Sequence, residues 1–418
     1  MHTIVIGGGI IGLTTAYHLA REGRAVTVVD ARAMGQGASD VNAGWVVPAV
    51  AGPVPAPGMV LSSLRWMVRP DSPLYIRPSV RPDFLRFMLG MWRHSNARDH
   101  RRGFEAHLRL AHGSMDMLDE YRADGLAFEM HGEGLLMAFL DGARLAHHAA
   151  DLDLPRSHGL EPRVLVGDAV REHEPMLSDR VRGGIHFPHE RYLDPGALVA
   201  ALRARLGSLG VELVEDAPVD DVTVSGDRVT AISSRGRRFD ADTFVLAAGA
   251  WTGQLSARFG EPLPVRSGKG YCVDTSPLPL RSAVNLSEAK GAVTPLDGRL
   301  RLAGTMELGG LDETVDEVRV GAIRRAPEAY FRDWEPVPGA TVARAGMRPM
   351  TPDGLPVIGR LGRLTNTYVS TGHGMLGVTL APGTAAALTE LIVHDRTAPA
   401  LEPFASARFS GRGRGRGR

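Results

Sequence analysis

The sequence predicts an α/β protein in which one doubly wound unit is interleaved with an α+β unit built on an antiparallel sheet. Three observations lead there. Residues Met1 to Asp30 read as strand, glycine turn, helix and second strand. Apolar strands recur at Thr243 to Trp251 and at Tyr368 to Thr371, the latter leading into a helix that runs to about His394. A helical block and a block of alternating, sheet-like sequence separate these pieces, so the two units take turns along the chain.

The first thirty residues have the parts of a nucleotide cradle. Thr3 to Ile6 is a short apolar strand, and Gly7, Gly9 and Gly12 follow with the spacing G-x-G-x-x-G. Gly7 permits the tight turn, Gly9 lets a pyrophosphate approach the backbone, and Gly12 lets the helix pack on the strand. The helix runs from Ile10 to about Arg21 and ends near Gly23. Its free N–H groups, at Ile10 and Ile11 among others, and its positive dipole end suit phosphate. Ala25 to Val29 forms the second strand, and Asp30 can accept hydrogen bonds from a ribose. A carboxylate there repels a 2′-phosphate. This unit is Rossmann-like and binds a dinucleotide.

Residues 31–57 form a loop dense in small residues, including Ala31, Ser39, Asn42, Ala43 and Gly44. Such density suggests backbone close to a ligand, the alternative being a surface loop. From Leu61 to about Ala150 the pattern is mostly helical. Asp83 to Arg93 carries Phe84, Leu85, Phe87, Met88, Met91 and Trp92 between arginines. It reads as a core-facing helix with solvated arginines, or as a helix lying on a membrane surface. Phe104 to Asp124 reads as one longer amphipathic helix. A helix from Asp194 to about Leu209, a strand at Val211 to Val214 and a three-strand meander at Val219 to Asp240 follow. The next strand ends on the small residues before Gly249 and Trp251. Glu261 to Asp274 and Ala292 to Met306 alternate like antiparallel strands, Asp316 to Tyr330 is helical, and Thr341 to Pro349 is strand-like. The first unit therefore takes residues 1–60, 155–255 and 340–400, the second 61–154 and 256–339, and residues 410–418 form an Arg-Gly tail unable to pack a core.

Composition narrows the function. The chain has 418 residues and a net charge of +1, which points away from a nucleic-acid partner. The single Cys272 excludes an internal disulfide, and no histidine pairs with a neighbouring acid as a ligand set, so no metal is expected. The N-terminus lacks a basic leader, and no apolar run reaches the roughly 18 residues of a membrane span. The expected location is the cytoplasm, with peripheral contact on the inner face of the cell membrane.

Four segments converge on a flavin: the cradle, the small-residue turn after Thr243, Gly346 to Pro356 (GMRPMTPDGLP) and Ser370 to Gly377 (STGHGMLG). With Asn42 to Pro48 and Pro264 to Tyr271 (PVRSGKGY), they resemble the FAD-dependent D-amino-acid oxidase superfamily, most nearly the small subunit of bacterial D-amino-acid dehydrogenases. The helical stretch 57–93 resembles that subfamily's insertion, and the resemblance extends to about residue 395. It implies a two-dinucleotide-binding FAD domain. It also implies oxidative deamination of D-amino acids by hydride transfer from Cα to flavin N5, giving an imino acid and then a 2-oxo acid and ammonia, with electrons passed to a quinone or other acceptor. Glycine, sarcosine or D-hydroxyproline are alternative substrates. A non-catalytic electron-transfer flavoprotein and RNA binding through the tail are readings from other classes.

The same resemblance assigns residues. Arg348 matches the arginine that grips the substrate carboxylate, a task for which a bidentate guanidinium is suited. Gly372, Gly374 and Gly377, with Met375 and Leu376 between them, open the last helix towards the flavin pyrimidine ring, where negative charge develops on reduction. His373 adds a donor there or makes a structural contact. Tyr271 bounds the substrate pocket or is a core tyrosine. Gly346 and Val219 complete the expected FAD contacts. Cys272 does not lie in the family's late flavin loop, so the FAD is expected to be non-covalent.

Overall fold

In a computed structural model the described residues are 1–58, 71–335 and 341–409. The start of the predicted helical block and the Arg-Gly tail lie outside them.

The nucleotide unit is a six-stranded sheet in the order Glu212–Val214, Ala25–Val29, His2–Ile6, Thr243–Leu246, Thr367–Thr371 and Val357–Arg360. The first five run parallel and the last antiparallel. Alternation sends the side chains of each strand to two faces. On one face Val5, Val28 and Val245 pack with Leu13 and Tyr17 of the helix Ile10–Arg21, Leu202 of Pro195–Ser208 and Leu388 of Gly377–His394. On the other, Ile4, Ile6, Phe244 and Leu246 meet Val229, Ile232 and Phe239 of the three-strand meander. Burying each such side chain contributes about 1.5–3 kcal/mol. The strands are buried on both faces, which is why they read as continuous apolar runs.

The second unit is a mixed nine-stranded sheet. Its main path is Ala343–Met350, Arg266–Thr275, Arg299–Leu308, Gly291–Leu296, Ala283–Leu286, Leu135–Phe139, Gly183–Phe187 and Arg163–Val166, with Leu74–Ile76 beside Arg299–Leu308. Most pairs are antiparallel. The helix Glu317–Arg325 covers one face, packing Val320 and Ile323 onto Val273 and Leu302. Three expectations change. The strands Arg163–Val166, Gly183–Phe187 and Ala343–Met350 belong to this sheet, not to the nucleotide unit with which the sequence grouped them. The helical block contains the strand Leu135–Phe139, which is buried at all positions but the half-buried Met137 and so shows no alternation. The helix expected over Phe104 to Asp124 is two, Ala97–Ala111 and Ser114–Ala123, broken at Gly113, whose φ of +77° no α-helix accommodates.

Candidate functional site

The parallel strands end together, and their C-terminal ends carry the candidate binding residues, as open α/β sheets arrange them. Gly7 follows the first strand with φ +117°, and a Cβ there would lie 2.3 Å from Ala247 O. A Cβ on Gly12 would lie 1.8 Å from Gly7 O, so the helix can start this close only on glycine. No acidic side chain occupies the first turn to neutralise its positive end. Ser39 Oγ accepts the Ile10 N–H at 2.9 Å, so that amide is not among those offered to a phosphate, contrary to expectation. Asp30 accepts from Gly8 N at 2.6 Å and Arg32 N at 2.8 Å. Burial pushes its pKa up, against the pull of those two N–H groups and Arg32. Each carboxylate oxygen keeps acceptor capacity for a ribose. Arg32 stacks over Trp251 at 4.6 Å and pairs with Glu313 at 2.8 Å, tying Trp251 to the cradle. Gly249 adopts φ +51°, and its carbonyl accepts from Thr371 Oγ1 at 3.1 Å. Ala31 adjoins Asp30, and Val219 O accepts from Arg258 Nη1 at 3.2 Å.

From the cradle the chain takes a path towards the large sheet. After Ser39, the loop passes so close to Gly346 that a Cβ there would lie 1.9 Å from Val41 Cγ2. Asn42 Oδ1 accepts from Gly44 N at 2.8 Å, and the Ala43 carbonyl accepts from Thr294 Oγ1 at 2.8 Å. Arg301, only 2% exposed, forks onto Asp274 at 2.8 and 2.9 Å and donates to the Asp40 and Asn42 carbonyls. Arg344 joins Asp40 to Asp274. Burial works against the Asp274 carboxylate, yet the arginines hold its pKa below the usual range. This network fixes the loop to the large sheet. Sequence reasoning missed it because a buried arginine and an exposed one look alike in a sequence.

The path ends at Arg348. Strand register pairs Gly268 with Arg348 and Gly270 with Gly346, so all four share one sheet face. The guanidinium lies flat on the neighbouring strand: a Cβ on Gly270 would come 2.1 Å from Nη1. Opposite Gly270 a bulge places two residues, Thr305 and Met306. Thr305 takes φ +63°, a strained conformation for a β-branched residue, and its carbonyl accepts from Arg348 Nη1 at 2.6 Å. Burial lowers the Arg348 pKa to about 10, still cationic at neutral pH. No carboxylate pairs with it among the described residues. A cation held in place without a counter-ion is prepared for an anionic ligand. Met306 Sδ lies 3.9 Å from Nη1, and Phe87, Met91, Leu308 and Met350 complete an apolar wall beside it.

Gly372 and Gly374 turn with φ +81° and +55° ahead of the last helix, whose first turn also lacks an acid. Met375 is exposed and Leu376 half-buried in this turn. Gly377 approaches Ile10, with a built Cβ 3.9 Å from Ile10 Cγ2, so the first and last helices begin side by side. The other two candidate catalytic side chains make structural contacts, the second of the alternatives the sequence left open for each. Tyr271 sits on the sheet face opposite Arg348, in the core, donating to Glu307 Oε2 at 2.9 Å. The one-residue offset between Gly270 and Tyr271 decides this. The His373 ring, 3% exposed, turns back under the last helix to Thr384 Oγ1 at 3.1 Å. Burial and His107 lower its pKa to about 3, so it is neutral. One group, Glu129, His131 and Asp297, has ligand atoms within 4.8 Å of one another, but His131 and Glu129 already pair at 2.9 Å.

These residues fit an extended dinucleotide: glycines that any side chain would block, two acid-free helix starts, and a ribose acceptor. The family model described as FAD dependent oxidoreductase matches residues 2–391. A D-amino acid dehydrogenase from Cereibacter sphaeroides is 34% identical over 416 residues, 96% of this chain and 93% of that protein. One from Granulibacter bethesdensis is 32% identical over 421 residues, 98% and 100% of the two chains. Among solved structures, glycine oxidase from Geobacillus kaustophilus superposes with a TM-score of 0.78 at 24% identity, covering 98% of this chain and 99% of that one. L-Proline dehydrogenase from P. horikoshii gives 0.73 at 20%, covering 98% and 97%.

Proposed function

Since the chain belongs to the DAO family of FAD-dependent oxidoreductases, we propose that it is a D-amino-acid dehydrogenase, oxidising the CH–NH2 group and passing electrons to a quinone or other acceptor. The observation that carries this reading is Arg348, a buried cation without a carboxylate partner among the described residues, seated on Gly270 two residues along its strand from Gly346. Bound FAD supplies the two-electron oxidant. Gly7, Gly12 and Asp30 would hold its ADP half, and Gly346, Gly372 and Gly374 would border its ring system. Arg348 grips the substrate carboxylate and so fixes Cα in position, while Thr305 O and the bare surface of Gly270 fix Arg348. The imino acid product takes up water to give the 2-oxo acid and ammonia. The apolar wall of Met306, Met350, Phe87 and Met91 favours apolar side chains over charged ones.

Anaerobic mixing of the purified flavoprotein with D-methionine, D-leucine, D-aspartate, glycine, sarcosine and D-proline derivatives tests this. Bleaching by the apolar D-amino acids is expected. Bleaching by glycine or sarcosine alone would transfer the assignment to a small-amine oxidase, and no bleaching by any would remove it. Oxygen uptake with peroxide formation would exclude a quinone acceptor.

The helix Pro82–His94 supports a second feature, peripheral membrane contact. Its Phe84, Phe87 and Met91 face inward, while Leu85 (53% exposed) and Trp92 (60% exposed) align outward with Leu89 among the exposed Arg81, Arg86 and Arg93. An apolar stripe edged by arginines suits an anionic bilayer. No helix among the described residues is long and apolar enough to cross one. Co-sedimentation with phosphatidylglycerol vesicles, absent with phosphatidylcholine and lost in Leu85→Ser/Trp92→Ser, is the expected result.

A further inference from the structure

The segment Trp45–Ala51 is a two-residue strand followed by the short 3-10 turn Pro48–Val50, mostly buried, and it leads into Gly52, Pro53 and Val54, which line a cavity with Met350, Gly372 and Gly374. Three buried side chains from three elements hold its backbone. Thr379 of the last helix accepts the Val47 N–H at 3.0 Å and donates to Trp45 O at 3.1 Å. His107 of the helix Ala97–Ala111 meets Ala51 O through Nδ1 at 2.7 Å. Glu190 accepts the Ala49 N–H on Oε1 at 2.9 Å.

Glu190 is the unusual member. It is 1% exposed, and its Oε2 is buried without a hydrogen-bond partner among the described residues. No cation among the described residues pairs with it. His189 and Arg191 flank it on its own turn, Tyr192 follows, and His100 and His107 approach the same segment from the helix Ala97–Ala111. None of these carries charge to it: the only influences on the carboxyl are burial and the Ala49 N–H.

We propose that Glu190 is a positioning residue for the cofactor, fixing the Pro48–Ala51 turn and thereby setting the shape of the segment that leads into the cavity beside Gly372 and Gly374. The inference rests on the flavoprotein reading above. Burial holds the proton on this carboxyl up to a pH of about 8, against the pull of the Ala49 N–H. Ionisation leaves a carboxylate with no cation beside it, which must pull away towards water and take the turn with it. Cofactor binding therefore weakens as pH rises through that region. An amide keeps the acceptor and cannot ionise, so Glu190→Gln holds the turn at every pH, whereas Glu190→Ala leaves the Ala49 N–H unpaired.

The test is FAD titration of the apoprotein by flavin fluorescence quenching from about pH 6.5 to 9.5, with the flavin absorption band recorded alongside. The wild type is expected to lose affinity by up to about tenfold per pH unit above about 8. Glu190→Gln should give a flat profile matching the wild type near pH 7. Glu190→Ala should bind weakly throughout with a shifted band. A wild-type loss of affinity that persists unchanged in Glu190→Gln, or wild-type affinity and spectrum in Glu190→Ala, would overturn the inference while leaving the flavoprotein reading intact. Failure of the wild type to bind FAD at any pH would overturn that reading instead.

Discussion

Arg348 and Gly270 act as one unit. The guanidinium occupies the space a Cβ on Gly270 would need. Arg348→Ala removes the charged grip, whose hydrogen bonds contribute about 1.5–3 kcal/mol each, so the KM for a D-amino acid should rise by roughly 10- to 100-fold or more while FAD stays bound. Gly270→Ala should raise KM in the same direction by pushing the guanidinium off the strand, with an unchanged flavin spectrum. Steady-state kinetics of both variants check this, and an unaltered KM in either would detach that residue from substrate binding. Arg348 was singled out in the sequence by the resemblance of its Gly-Met-Arg-Pro segment to the family, whereas its seat on Gly270 and Thr305 was not legible there. For Tyr271 and His373 the sequence left a site role and a structural role open, and the structure gives Tyr271 a place in the core and His373 a contact with Thr384. Proximity in sequence does not fix which way a side chain faces: one step along a strand turns Tyr271 to the other side of the sheet, and one torsion sends the His373 ring to Thr384.

At the scale of elements, the cradle depends on how closely the first helix meets the first strand. Gly12→Val would place its side chain on the Gly7 carbonyl. The purified variant should lack yellow colour yet keep its far-UV circular dichroism, since the helix can still form with its axis displaced. Retained FAD at wild-type affinity would show that the close approach is dispensable. The loop after Asp30 is ordered by its partners. Ser39 takes up a helix amide, Arg301 and Arg344 hold Asp40 and Asn42, and Thr379, His107 and Glu190 hold the next turn. Its small residues were legible as a sign of close backbone approach. Its partners were not, because they come from elements as far as 334 residues away in the sequence. Cys272 is buried, and burial pushes its thiol pKa up, which makes it a poor nucleophile. Acid precipitation should therefore release all FAD to the supernatant; flavin retained on the pellet would indicate a covalent link.

At the scale of the molecule, three histidines among the described residues, His107, His186 and His373, are buried, a fourth, His18, is half-buried, and all four are neutral. Burial lowers the pKa of His18, His107 and His186 to about 4 each and that of His373 to about 3. In the unfolded chain these rings take up protons near pH 6.5, whereas in the folded chain they do not. The folded state therefore keeps its full margin above about pH 6.5 and loses it as pH falls from there through about 4. The expected result is a Tm that declines across this window when followed by differential scanning fluorimetry. His107→Gln should shallow the decline, and a Tm independent of pH between 6.5 and 4 would contradict the burial of these rings.

The sequence by itself determined the nucleotide unit and the mid-chain and late strands that join it. These features are local: a glycine spacing, a hydrophobic period or a short motif encodes them, and a few neighbouring residues suffice to read them. Only the tertiary structure decided which sheet the strands Arg163–Val166, Gly183–Phe187 and Ala343–Met350 join, since strand pairing depends on partners that no local pattern names. It also decided which side chains meet. The Arg301–Asp274 fork, the Thr305 bulge under Arg348 and the Glu190 clamp each unite distant residues. Burial gives these groups their chemistry, and burial belongs to the folded chain as a whole.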